Sequence, residues 1–153
     1  MLVRISVLLN IILMSGFGFI AYKFVTGDTV VGSDNRTAII LTTGERDNVL
    51  AEMRAMLEGV QAVAEALAND EIASIPELVR PLGMAATEGE SPALMAKIPL
   101  GMKTLGQATH QDMDDLAALA MGGAGQDEIL AATADILNNC TTCHAAYSLV
   151  AED

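Results

Sequence analysis

The chain has 153 residues, 52% of them apolar and 3% aromatic, with no Trp, a length suited to one domain whose core can hold a cofactor. Its 20 acidic against 8 basic residues give a formal net charge of -12, which argues against nucleic acid, because phosphate binding needs a basic patch. The same charge suits either docking to a basic protein or plain acidic solubility, and the wealth of Ala, Leu and Met favours helix over sheet.

The first element is the run from Ile5 to Val25, "ISVLLNIILMSGFGFIAYKFV", which at about 21 residues is long enough for a bilayer core of roughly 30 Å. Arg4 lies on its N-terminal side, so the positive-inside rule keeps Met1 in the cytoplasm and exports everything after Val25. A cleaved signal peptide is the competing reading. Its apolar region would run roughly 7 to 15 residues and end in a small-x-small site, whereas "FIAYKFVTGD" offers none. The expectation is an uncleaved single-pass anchor over 1–25 in a bacterial inner membrane, with the rest in the periplasm. "TGDTVVGSDNRTAII" has no helical period and reads as a linker over 26–41.

The folded domain is expected over 42–153. Thr42 and Glu45 have capping-box spacing, and the helix behind them carries Val49, Met53, Met56, Val60, Val63 and Leu67 along one seam. A second helical piece with Ile72, Ile75, Val79 and Leu82 holds Pro76 and Pro81, which predicts a short, kinked or split helix. The third places Met102, Leu105, Thr109, Met113, Leu116 and Ala120 on one face. Gly122–Gly125 then breaks the chain. The last helix is predicted from about Asp127 to Leu149, with Ile129, Ile136 and Cys143, and beside them Leu130, Leu137 and His144, on a buried stripe. Four amphipathic helices with no strand signal predict an all-α four-helix bundle behind one transmembrane helix.

The chain's two cysteines, Cys140 and Cys143, stand in "NNCTTCHAAYSLVAED" with His144 directly behind them. A thioredoxin-like dithiol needs its CxxC at a helix start beside a sheet, and this one falls near the end of a chain read as strandless. Zinc bound by Cys140, Cys143, His144 and His110 would require adjacent residues to turn toward one ion from helical positions about 100 degrees apart. Covalent haem suits the spacing. Two thiols one turn apart meet the two vinyl groups on one porphyrin edge, and the next imidazole lies on the same side, within reach of the iron.

A CxxCH near the C-terminus of the fourth helix of a bundle, followed by Tyr147, resembles the class II c-type cytochromes, the cytochrome c′ and cytochrome c-556 kinds, over about residues 42–149. That resemblance implies a single haem c on Cys140 and Cys143 with His144 as axial ligand. The low-spin kind carries a methionine on the first helix as sixth ligand. Setting "EALANDE" at the acidic turn puts Met53 there, with Met56 as the alternative; the c′ kind leaves that position open. Arg46 and Arg54 become candidate haem-propionate contacts, and His110 in "THQDMDD" is expected as a solvated residue beside acids. The implied role is a periplasmic monohaem electron carrier, not an enzyme, working between membrane-bound respiratory or photosynthetic redox complexes. The alternatives are an NO- or CO-binding haem protein and a structural haem subunit of a larger membrane complex. The family includes antiparallel dimers, so a homodimer is a further expectation. The anchor departs from the mostly soluble members, and Tyr147, Ser148 and Leu149 stand where many carry a basic residue.

Overall fold

A computed structural model describes residues 2–152, with side chains from Ile5 onward. Met1 and the side chain of Arg4, on which the expected orientation rests, lie outside that description. The chain is 76% helical. Helix α1, Leu2–Thr26, contains the stretch Ile5–Thr26, 22 residues of mean hydropathy 2.0 with none of its most apolar window buried. By length and composition it can cross a membrane, a property it shares with signal sequences. It stops at Gly27, whose φ of +63° is left-handed and whose amide donates back to the Lys23 carbonyl at 2.8 Å, as helix ends often do.

The segment 26–41, predicted as a linker, is folded. Strand β1, Thr29–Val31, pairs antiparallel with β2, Thr37–Leu41, across a turn in which Asn35 has a φ of 65°. Ala38, Ile39 and Leu41 are buried. The third strand, β3, Tyr147–Ala151, lies parallel to β2 in the register Thr37↔Tyr147 to Leu41↔Ala151. The strandless expectation is therefore corrected. "TAIIL" carries β-branched residues but is too short to alternate visibly, and its partner strand comes from the other end of the chain.

Helix α2, Thr43–Ala68, begins with the expected capping box: Glu45 N–H donates to Thr42 Oγ1 at 3.2 Å, and Thr42 N–H to Glu45 Oε2 at 2.8 Å. Its predicted seam faces inward, with Val49, Met56 and Val63 buried and Met53, Val60 and Leu67 half-buried. The proline-bearing segment is split, as predicted, into 3-10 turns around the short helix α3, Ile75–Val79. Helix α4, Pro92–Lys97, follows, capped by Ser91. Helices α5, Leu100–Met121, and α6, Gln126–Ala146, form a hairpin over the Gly122–Gly125 turn.

The predicted α5 face holds, with Met102, Met113, Leu116 and Ala120 buried. On α6 the stripe is narrower than expected. Ile129 and Ile136 are buried and Cys143 is half-buried, but Leu130, Leu137 and His144 face outward, because each lies one residue, about 100 degrees, round the helix from that line. The helix also ends at Ala146 rather than Leu149, since β2 draws Tyr147–Ala151 into the sheet.

Two apolar cores result. The larger, with Met56, Val63, Ile75, Val79, Met113, Leu116, Ile129 and Ile136, joins α2, α3, α5 and α6. The smaller holds Ile39, Leu41, Val49, Ile98 and Met102 between the sheet, α2 and the start of α5.

Candidate functional site

The CxxCH motif occupies the last two turns of α6, and the residues before it fix its position. Asn139 Nδ2 donates to Asp112 Oδ2 of α5 at 2.7 Å, so α6 is pinned one residue ahead of Cys140. Cys143 continues the Ile129–Ile136 line into the smaller core. Cys140 and Cys143 are half-buried free thiols, and His144 is exposed. Cys140 neighbours both Cys143, at i+3, and His144, at i+4, on the helix surface, while the last two stand about 100 degrees apart.

Burial pushes both thiols above the ordinary cysteine range, and for Cys143 the neighbouring Cys140 adds to the effect. The negative end of the helix dipole acts in the same direction. That is the reverse of the lowered pKa that makes a CxxC a redox dithiol. Among the described residues no three His, Cys, Asp or Glu side chains converge as a metal site.

The far end of α6 is held by a residue that sequence reasoning passed over. Arg36, in the supposed linker, donates through Nη1 to the carbonyls of His144 and Tyr147, each at 3.0 Å. Its Nε is fixed by Asp34 Oδ2 at 2.7 Å, and this pairing holds the Asp34 carboxyl below the usual carboxylate range. Helix C-termini leave carbonyls without partners, and here the guanidinium supplies them beside the imidazole-bearing residue. The one sequence signal was "DNR" within a turn.

Met53 and Cys143 pack against the same small core, with Val49, Ile98, Met102, Tyr147 and Leu149. Met56 belongs to the larger core instead, which separates the two candidate sulfurs: Met53 shares a cluster with the motif and Met56 does not. His144 faces outward, so Met53 and His144 are not opposed across an open space. Arg46 is bound to its neighbour Asp47, Nη2 to Oδ1 at 3.0 Å, and Arg54 is exposed on α2.

His110 departs from the expectation of a solvated residue. It is buried, with Nδ1–H donating to the Leu82 carbonyl at 2.7 Å and Nε2 at 3.2 Å from Glu52 Oε1. The carbonyl can only accept, so Nδ1 carries a proton, and the Glu52 carboxylate calls for a second on Nε2. Glu52, and then the Leu82 carbonyl, raise the His110 pKa against the effect of burial. With both nitrogens engaged, His110 has none free for a metal. It lines a cavity of about 540 Å³ with Glu45, Glu52 and Glu90, in which burial, followed by the Glu52 charge, raises the Glu90 pKa.

No protein-family model, curated protein or solved structure matches the chain.

Proposed function

We propose that the chain is a membrane-anchored, periplasm-facing monohaem c-type cytochrome that carries single electrons between membrane-bound redox complexes. The observation that carries this reading is the pair of half-buried free thiols one turn apart on α6, with His144 directly behind them and Met53 packed against the same small core as Cys143. These residues fit covalent haem by the chemistry of their donors. Cys140 and Cys143 would hold the haem through thioethers, and His144 and Met53 would be its iron ligands, provided the exposed His144 side chain turns toward the group. When bound, the group supplies a one-electron iron couple, whose potential a thioether ligand raises. Arg36 keeps the helix turn that bears His144 from fraying. In this reading α2, α5, α6 and the broken segment from Ile72 to Lys97 are the four members of a class II-like bundle, and α1 is its anchor. The net charge of -12 favours a partner with a basic docking face and weak, salt-sensitive contacts.

One observation favours the second reading, an open sixth position able to take CO or NO: Met53 is packed among apolar neighbours while His144 faces outward. Absorption spectra of the oxidised and reduced protein, with and without CO, decide between them. A low-spin spectrum indifferent to CO is expected, together with a CO-binding form once Met53→Ala removes the sulfur. A high-spin ferric spectrum in the unaltered protein rejects Met53 as ligand, and the absence of covalently bound haem rejects both readings.

A further inference from the structure

The chain contains three lysines, Lys23, Lys97 and Lys103, and all three lie where α1 meets the folded domain. Lys103 is 7% exposed. Its Nζ donates to the Phe24 carbonyl at 3.1 Å and stands 4.0 Å from the centre of the Phe24 ring. A cation at the carbonyl end of a helix satisfies an orphan acceptor and opposes the negative end of the helix dipole, and the aromatic face adds a cation–π attraction. Lys23 pairs with Asp28. The Asp28 amide donates to the Lys97 carbonyl at 2.7 Å, while Lys97 Nζ reaches Glu45 at 2.8 Å and Glu152 at 3.3 Å.

Gly27 closes the same joint. A side chain there would run into the backbone of Lys97–Pro99, and the φ of +63° is itself unfavourable to any other residue. The end of α1 is thus fastened to α4 and α5 by backbone, ammonium and ring contacts.

The first turn of α5 looks two ways. Lys103 faces α1, while the adjacent Met102, with Ile98, packs in the core shared by Cys143 and Tyr147. Gly101 lies so close to the Tyr147 hydroxyl that a Cβ would strike it. The same turn therefore touches the end of the apolar helix on one side and, on the other, the core against which Cys143 packs.

From this juxtaposition we infer that the CxxCH end of the domain is clamped at the bilayer surface, and that its partner is an integral membrane protein whose redox centre lies at headgroup level. The inference rests on reading α1 as a membrane span and Cys140, Cys143 and His144 as the haem site. A free tether over 26–41 would let the domain roam by about 20 Å. A clamp removes that search and presents one end in one orientation, which favours a partner confined to the same plane.

The test uses the full chain in nanodiscs containing headgroup-spin-labelled lipid. Because the protein has no Trp, single reporters can be placed at Leu100→Trp, on the exposed start of α5, and at Leu130→Trp, exposed on α6 and about 20 Å along that helix from Cys143. The ratio of emission without and with the spin label cancels constant quenching inside the protein. Strong quenching at position 100 and weak quenching at 130 is expected, and Lys103→Met or, separately, Gly27→Val should bring the two ratios together. Equal ratios in the otherwise unaltered chain, or a contrast that survives both changes, overturn the clamp.

Pyridine haemochrome assay of the same discs keeps the two readings apart. Contrast without covalent haem leaves the clamp standing and sinks the haem site, while haem without contrast does the opposite. Where haem is present, bacterial membranes that hold the anchored protein itself, washed free of soluble carriers, should oxidise it. Lys103→Met should slow that oxidation about tenfold and leave oxidation by ferricyanide unchanged. Washed membranes that fail to oxidise the unaltered protein overturn the choice of partner.

Discussion

Arg36 and His144 are 108 residues apart in the chain, yet one guanidinium nitrogen holds the His144 and Tyr147 carbonyls together. Removing it leaves two carbonyls at a helix end to find water, a loss of roughly 0.5–1.5 kcal/mol of local stability. Arg36→Ala is expected to increase amide exchange across 143–148, read by mass spectrometry of the covering peptide, with Arg54→Ala as an unchanged control. Arg36→Lys should recover only part of the protection, because a single ammonium cannot reproduce a fork held to Asp34 and two carbonyls. At this scale the thiols and the imidazole were legible in five letters, since their spacing is their chemistry. Arg36 was not, because its partners lie far away in sequence. The burial of His110 was hidden for the same reason: Leu82 and Glu52 reach it from two other segments.

Among the elements, α2 and α5 follow their apolar periods, and the capping box at Thr42 and the split at Pro76 and Pro81 fall where local chemistry puts them. The sheet does not announce itself in this way. Ile39 and Leu41 have no solvent exposure, so replacing either with Ala is expected to lower global stability by roughly 2–5 kcal/mol, measured by denaturant unfolding of the detergent-solubilised full chain. A free linker over 26–41 would predict no change at either position. The parallel pairing of β2 with β3 also explains why α6 stops at Ala146. Tyr147–Ala151 gains a ladder partner and a place against the smaller core that a further helical turn would forgo.

On the scale of the whole molecule, His110 ties α5 to α2 through Glu52 and to the proline-bearing segment through Leu82, with Glu90 and Glu45 on the same cavity. Its pKa is raised in the fold, so its stabilisation is complete below the unfolded value of about 6.5 and is lost as pH rises through the folded value. Glu90, also raised, carries the same sign in a lower window, from its ordinary value upward. The thermal midpoint of the full chain is expected to fall as pH is raised above about 6.5. His110→Gln should flatten that part of the profile and lower stability at pH 6 by roughly 1–3 kcal/mol. A midpoint that rises with pH over that range in the unaltered protein would show that the ion pair does not form.

Composition and periodicity alone determined the helical character, the apolar N-terminal helix, the inward faces of α2 and α5, and the thiol–imidazole spacing of the candidate site. Each depends on residues within a turn or two of one another. The tertiary structure alone decided that the supposed linker is a sheet, that Met53 and not Met56 shares a core with Cys143, that Arg36 holds the motif's helix end, and that Lys103 fastens α1 to α5. Every one of these is a pairing between distant segments. Such pairings form when the folded chain buries apolar surface and must find partners for the backbone and charged groups buried with it, and no local pattern records which distant group that partner will be.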